Sequence, residues 1–412
     1  MIFNKILEIK KDMTYKEFFL KILKRIFRYL EEAILFLPRA LFRIAIPVNN
    51  KRIVFMTNTF NYTCNPKYIS EKLIEKKFDC EIIWITDDLE KKASTFPANI
   101  KLLKKGTLRC FYAVSSAKIW IDNGVAFSNY YEKKKTQTHI QTMHGSLGIK
   151  RLDNAVLTRN RSGYFGKRIV RRESNNTDLV ITNSLFEENV FKSVFWKNTP
   201  MKRLGHARTD ILFVDNKEIQ NILREKVSKF LGIPKDKKYV LYGPTYRNNA
   251  TYETFNIDFV KLVEELKNKF NEEYVILFRF HNRNMHLAEK IMQEECVYNA
   301  SDYPDIQELM LISDIAITDY SSWIYDYVNT YKPGFIFATD VEKYNSITGF
   351  YYLLEETPFP VCHNNDELIK SVHEFNILEY KEKVKAFLKD KEAVDDGHSA
   401  ERIVKEIESI LA

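Results

Sequence analysis

Short apolar runs separated by polar stretches of helical spacing organise most of the chain. Residues 52–57 (RIVFMT), 81–86 (EIIWIT), 118–122 (KIWID), 139–142 (HIQT) and 179–182 (LVIT) form a first series, and 66–76 reads as one of the helices between them. Runs this short do not stand as lone helices, and their alternation with helices predicts a parallel sheet. A second series follows at 239–242 (YVLY), 274–280 (YVILFRF), 315–318 (IAIT) and 335–338 (FIFA), with helices expected over 258–270, 306–312 and 322–330. The polar, helix-rich stretch 215–236 carries the chain between the series, and 366–412 reads as closing helices. The pattern predicts two α/β halves, 49–215 and 216–412, facing each other across a cleft. Ligands of open parallel sheets bind outside the carboxyl ends of the strands, so the loops after the strands are where chemistry is expected.

The first 48 residues follow another pattern. Thr14 and Glu17 have capping-box spacing, and Tyr15, Phe18, Phe19, Ile22, Leu23, Ile26, Phe27 and Leu30 recur on one helical face. Lys21, Lys24, Arg25 and Arg28 lie mostly opposite. Pro38, Arg39, Arg43 and Pro47 interrupt the apolar residues that follow, so the roughly 20 uninterrupted apolar positions of a bilayer span are not supplied. No signal-peptide pattern precedes them. A basic amphipathic helix suits an anionic membrane surface, and a peripheral position on the cytoplasmic face is expected. Packing on the protein's own core, or a dimer contact, is the competing reading. The oligomeric state stays open.

Composition narrows the partners. Apolar residues make up 45% of the 412 positions and aromatics 14%, enough for two sizeable cores. Five scattered cysteines without a CxxC pair point to reduced thiols and a cytoplasmic setting. A formal charge of +8 allows nucleic acid, anionic lipid or an anionic small substrate. The basic residues are dispersed and no recognised nucleic-acid module is present, which argues against nucleic acid. The chain contains no DxD, phosphate loop, GxGxxG, HExxH or paired CxxC, so no metal and no cofactor are expected. Phosphates would be handled by Arg, Lys, His and helix-end N–H groups.

Four strand-end segments carry that chemistry. After 139–142 come His144, Gly145 and Ser146, then Lys150 and Arg151; a strand-end histidine suits general base catalysis or a structural role. After 239–242 come Pro244, Thr245 and Arg247, a hydroxyl donor and a bidentate phosphate ligand, or a simple turn. Strand alternation sets Arg279 and His281 on one face, a cationic pair suited to a diphosphate or to surface ion pairs. After 315–318, Thr318, Asp319, Ser321 and Ser322 lead into an expected helix containing Asp326. Asp319, Ser321 or Ser322 would cap that helix, whose free N–H groups would attract an anion.

Taken in order, these segments resemble the CDP-glycerol glycerophosphotransferase family, whose members build teichoic acids and related capsule polymers. The resemblance runs from about residue 52 to 370. It is carried by His144-Gly145-Ser146, by Gly205-His206-Ala207-Arg208-Thr209-Asp210 and by Pro244-Thr245-Tyr246-Arg247. Arg279-Phe280-His281, Thr318-Asp319-Tyr320-Ser321-Ser322 with Asp326, Lys332-Pro333 and Gly349-Phe350-Tyr351-Tyr352 complete it. It implies a GT-B-like fold of two Rossmann-like parallel-sheet domains, an acceptor half followed by a CDP-polyol half. His144 would deprotonate a hydroxyl of a lipid-linked glycan acceptor, which attacks the phosphorus bearing the polyol while CMP leaves. His281, Arg279 and Arg247 would hold the diphosphate, Thr318, Ser321 and Ser322 would donate to it, and Arg208 and Asp210 would sit near the cleft. The family often has Trp-His-Gly-Thr-Pro where this chain has Met143-His144-Gly145-Ser146-Leu147. CDP-glycerol is the expected donor, with CDP-ribitol as the alternative polyol. A metal-independent glycosyltransferase using a nucleotide sugar is the nearest rival function; a basic membrane-surface scaffold would leave the strand-end loops without a purpose.

Overall fold

The computed structural model describes residues 19, 23, 34–152, 164–247, 255, 257–280, 284 and 294–412. Seven strands form the first sheet: β1 (Asn49–Met56), β2 (Glu81–Thr86), β3 (Lys101–Lys104), β4 (Ala117–Asp122), β5 (Thr138–Gln141), β6 (Leu179–Thr182) and β7 (Met201–Arg203). Every pairing is parallel, in the order β3-β2-β1-β4-β5-β6-β7. Side chains alternate across its two covered faces. Ile53 and Phe55 join Trp84, Ile119 and Ile121 under the helix Cys64–Glu75, while Val54 and Met56 join Ile83, Ile85 and Trp120 under the helix Leu108–Ser116.

The second sheet is built from β8 (Lys238–Tyr242), β9 (Tyr274–Phe278), β10 (Val297–Asn299), β11 (Ile315–Thr318), β12 (Gly334–Phe337) and β13 (Val361–Cys362). Its order, β10-β9-β8-β11-β12-β13, is the doubly wound one, again all parallel. The direction of winding reverses between β8 and β11, which opens a crevice at their carboxyl ends. The expected GT-B-like pair of parallel-sheet halves is present.

Four strands, β3, β7, β10 and β13, go beyond the pattern-based expectation. Each is short and lies at or next to a sheet edge, where a partly solvated strand shows little apolar signal. Two helical expectations also change. The stretch 322–330 is only the helix Ile324–Tyr327 and a 3-10 turn, Val328–Thr330. The last helix, Ser399–Leu411, follows the second half in sequence yet packs on the first: Ala400, Ile403, Val404 and Ile407 enter the core beneath β1 and β4. Gly205, at φ +85°, lets it approach, since a Cβ there would lie 2.2 Å from Ser399 Oγ.

The halves meet through buried polar contacts. Lys67 pairs with Asp305 and, at 3.0 Å, with Glu308, and the Tyr68 hydroxyl donates to Asp305 at 3.0 Å. Leu147 and Ile149, from the loop after β5, are buried in the core of the second half. Residues 34–45 are helical; Phe42 packs edge-on against Phe111, while Ile34, Phe36, Leu37, Leu41 and Ile44 are exposed. The amphipathic face expected between Thr14 and Leu30 lies outside the described residues, save Phe19 and Leu23. No described helix is long and apolar enough to cross a membrane.

Candidate active site

His144 emerges from the loop after β5, at the carboxyl edge of the first sheet. Asn65, at the start of the helix Cys64–Glu75, fastens that edge by donating through Nδ2 to the carbonyls of Thr142 (2.6 Å) and Met143 (3.1 Å). Nδ1 of His144 lies 2.6 Å from the Asn123 carbonyl, just past β4. A carbonyl only accepts, so Nδ1 carries the proton and the lone pair is on Nε2. The ring is exposed to the cleft yet crowded by protein. That desolvation, with the charges of Arg208 and Lys150, lowers its pKa below the ordinary histidine value and favours the neutral, basic form.

Behind the loop stands Arg208, in the 3-10 segment Ala207–Phe213. Its guanidinium makes a two-pronged ion pair with Asp326 of the other half, Nε to Oδ2 at 2.7 Å and Nη2 to Oδ1 at 3.0 Å. Nη2 also donates to the Gly145 carbonyl at 2.8 Å, and Asn65 Oδ1 accepts from the Arg208 N–H. Arg208 and Asp326 are buried and bind each other rather than solvent. Farther along the loop, Gly148 faces the second half so closely that a Cβ would lie 2.9 Å from Ser322 Cβ. The loop then pairs Lys150 with Phe350, and Tyr351 N–H donates to the Ile149 carbonyl at 2.8 Å.

The second half supplies the opposite wall. Thr318 donates to the Gly243 carbonyl at 2.7 Å, so its hydroxyl proton serves the β8–β11 contact instead of a ligand. Asp319 accepts from Thr245 N–H at 2.8 Å and pairs with Arg247 at 2.8 Å. Arg247 also pairs with Asp340 at 3.1 Å and lies over the Tyr320 and Tyr344 rings, 4.9 and 4.3 Å from their centroids. Two carboxylates thus neutralise Arg247, and they hold it charged against burial. Arg279 differs. Nη1 donates to the carbonyls of Ala300 (2.9 Å) and Tyr303 (2.7 Å), and no carboxylate lies within ion-pair distance among the described residues. Burial without a paired anion lowers its pKa to about 10, only partly offset by Asp305 and Asp302. Its charge remains available to an anion. Thr245 Oγ1 is buried and has no partner in the described structure. Ser321 and Ser322 are half-buried.

Several expected roles change with these partners. Asp210 caps the last helix, accepting from Ser399 N–H at 2.9 Å and Ala400 N–H at 2.7 Å. The helix at Ile324 has no side-chain cap from Asp319, Ser321 or Ser322, and its four residues make no N-terminal anion site. Ser146 is buried and accepts from Asn183 Nδ2 at 3.2 Å. Pro244 is buried in the turn after β8. His281 lies outside the described residues. Sequence reasoning passed over Asn65, Asn123 and Asp340. Asp340 stands three residues past β12 and Asn123 directly past β4, where the strand-end rule would have found them; the contacts of Asn65 join distant segments and leave no local mark.

A family model for CDP-Glycerol:Poly(glycerophosphate) glycerophosphotransferase matches residues 39–409. The chain is 30% identical to the teichoic acid poly(glycerol phosphate) polymerase of Bacillus spizizenii over 88% of its own length and 93% of that protein. It is 32% and 29% identical to the polymerases of the same name from Staphylococcus epidermidis and Bacillus subtilis, over 86% and 90% of this chain, and it spans 50% of the length of each. A structure of the wall teichoic acid polymerase TagF soaked with CDPG aligns with a TM-score of 0.79 at 28% identity, covering 95% of this chain and 98% of that one. The chain belongs to the CDP-glycerol:poly(glycerophosphate) glycerophosphotransferase family.

Proposed function

We propose that the protein transfers glycerol phosphate from CDP-glycerol to a hydroxyl of a lipid-linked acceptor in teichoic acid synthesis, releasing CMP. The observation that carries this reading is His144, with its proton fixed on Nδ1 by Asn123 and its Nε2 lone pair held in a loop that abuts Ser322 of the other half. Nε2 takes the proton of the acceptor hydroxyl, and the oxygen attacks the phosphorus that bears glycerol. The bond from that phosphorus to the bridging oxygen breaks, and CMP leaves with the electron pair. Arg279, with the hydroxyls of Thr245, Ser321 and Ser322, faces the diphosphate; His281 is expected beside them. Arg247 and Asp319 shape the loop after β8, and Arg208 with Asp326 positions the base loop. Such a site works by positioning and charge neutralisation.

The family to which the chain belongs and the names of its relatives favour glycerol as the polyol. The exposed apolar residues Ile34, Phe36, Leu37, Leu41 and Ile44, beside Arg39 and Arg43, support peripheral attachment to the cytoplasmic face of an anionic membrane. A nucleotide-release assay of the purified protein with CDP-glycerol, CDP-ribitol and UDP-glucose tests the reaction, using a lipid-linked disaccharide acceptor and a glycerophosphate-primed one. CMP from CDP-glycerol is expected. CMP from CDP-ribitol alone would change the polyol, and UDP release alone would overturn the transferase class.

A further inference from the structure

Beneath the base loop lies a group of ionisable residues that the proposed chemistry does not use. Asp122 ends β4, His139 sits on β5 and Glu173 comes from the helix Tyr164–Asn176; all three side chains are fully buried. His139 Nε2 is 3.1 Å from Asp122 Oδ1. The Gln141 amide donates to that same oxygen at 2.8 Å and to Glu173 Oε1 at 2.7 Å. The three acid and imidazole groups are close enough to share a cation, but the Gln141 NH2 stands between the two carboxylates where an ion would sit. Phe127 N–H donates to Asp122 Oδ2 at 3.1 Å, while the Trp120 and Phe127 rings pack against the imidazole in T-shaped geometry.

The next residue along the chain is Asn123, whose carbonyl holds His144 Nδ1. Asp122 therefore has two lines to the base. Its own carbonyl accepts from Thr142 N–H at 2.8 Å and from Thr142 Oγ1 at 2.7 Å, which fixes the strand end from which His144 departs. Its carboxylate also acts through space, favouring protonated His144, opposite to Arg208 and Lys150. We propose that Asp122 and His139 form a buried carboxylate–imidazolium pair that positions His144 and sets its basicity, with Glu173 completing the pair as a neutral carboxyl.

Burial and neighbouring charge act on these groups in opposite senses. Burial works against the charged form of His139, but Asp122, by its charge and its hydrogen bond, outweighs it and raises its pKa, with Asp178 acting in the same direction. Burial and the Asp122 charge raise Glu173, against the opposing pull of His139 and its hydrogen bonds. With Asp122 and His139 charged as proposed, a neutral Glu173 leaves no net charge on the three groups in a site that water does not reach. Asp122 and His139 are positioning residues; they act through Asn123 and through space.

The proposal rests on His144 as the base, and the acid limb of the kcat/KM profile separates the two claims. CMP release from CDP-glycerol would be followed from pH 5 to 9 in the full-length protein, with thermal unfolding recorded for each variant. His139→Gln removes the compensating positive charge, so His144 binds its proton more tightly and the limb moves to higher pH. Asp122→Asn removes the negative charge nearer the base, and the limb moves to lower pH. Glu173→Gln replaces one neutral group with another and leaves the limb in place. Opposite shifts in the first two variants support the pair; equal shifts, or none, overturn it. Should Asp122→Asn fail to fold, the contrast of His139→Gln with Glu173→Gln decides alone. A wild-type limb that survives His144→Gln would instead remove the base assignment itself.

Discussion

The two walls of the cleft hold their polar groups in different ways. On the first-half wall the proposed base, His144, is braced from behind. Asn123 fixes the His144 tautomer, Asn65 and Arg208 fasten the backbone on either side, and Leu147 and Ile149 anchor the loop in the opposite core. One lone pair is left to work. On the second-half wall most polar groups are committed to one another: Thr318 to Gly243, Asp319 to Thr245 and Arg247, and Arg247 to Asp340. Arg279 stands apart: among the described residues no carboxylate pairs with it, and its guanidinium donates only to backbone carbonyls. A base needs one orientation, whereas a diphosphate needs unneutralised charge, and on the proposed assignment each wall suits one of these needs.

If that division holds, changes on the first wall lower kcat and changes on the second raise KM for the donor. His144→Ala has the largest expected effect. Removing a general base costs about 10²- to 10⁴-fold in rate, and steady-state CMP release should show that loss with donor binding retained. Arg208→Ala would leave the Asp326 carboxylate buried without its ionic partner, a cost of about 3–5 kcal/mol read by urea unfolding, with turnover falling as the base loop loosens. Arg279→Ala should raise KM for CDP-glycerol about 10- to 100-fold, the equivalent of a charged hydrogen bond worth about 1.5–3 kcal/mol, while kcat falls less. Ser321→Ala and Ser322→Ala should each raise KM a few-fold, in keeping with about 0.5–1.5 kcal/mol for an ordinary hydrogen bond. The pH profile gives the finest distinction. Because His144 must be neutral to act and its pKa is lowered, the rate should hold through neutrality and fall only below the ordinary histidine value of about 6.5.

The parallel sheets were legible because their central strands are buried on both faces and read as unbroken apolar runs, as in RIVFMT and EIIWIT. The strand KLLK at 101–104 and MKR at 201–203 were not, because solvated strands at or near an edge lose that contrast. Strand-end position was enough to find His144, Asp319 and Arg279. It was not enough to separate Arg279 from Arg247, two similar arginines near strand ends whose difference lies in Asp340, far along the chain. Asp210 shows the same limit: its motif drew attention to the cleft, while its partners, Ser399 and Ala400, lie in the last helix.

The division between the walls is tested most directly by measuring CDP-glycerol binding and CMP release on the same His144→Ala protein. Calorimetric binding close to wild type with CMP release reduced at least a hundredfold is the predicted result. Near-normal release would contradict His144 as the base, and loss of donor binding would contradict the assignment of donor recognition to the second half.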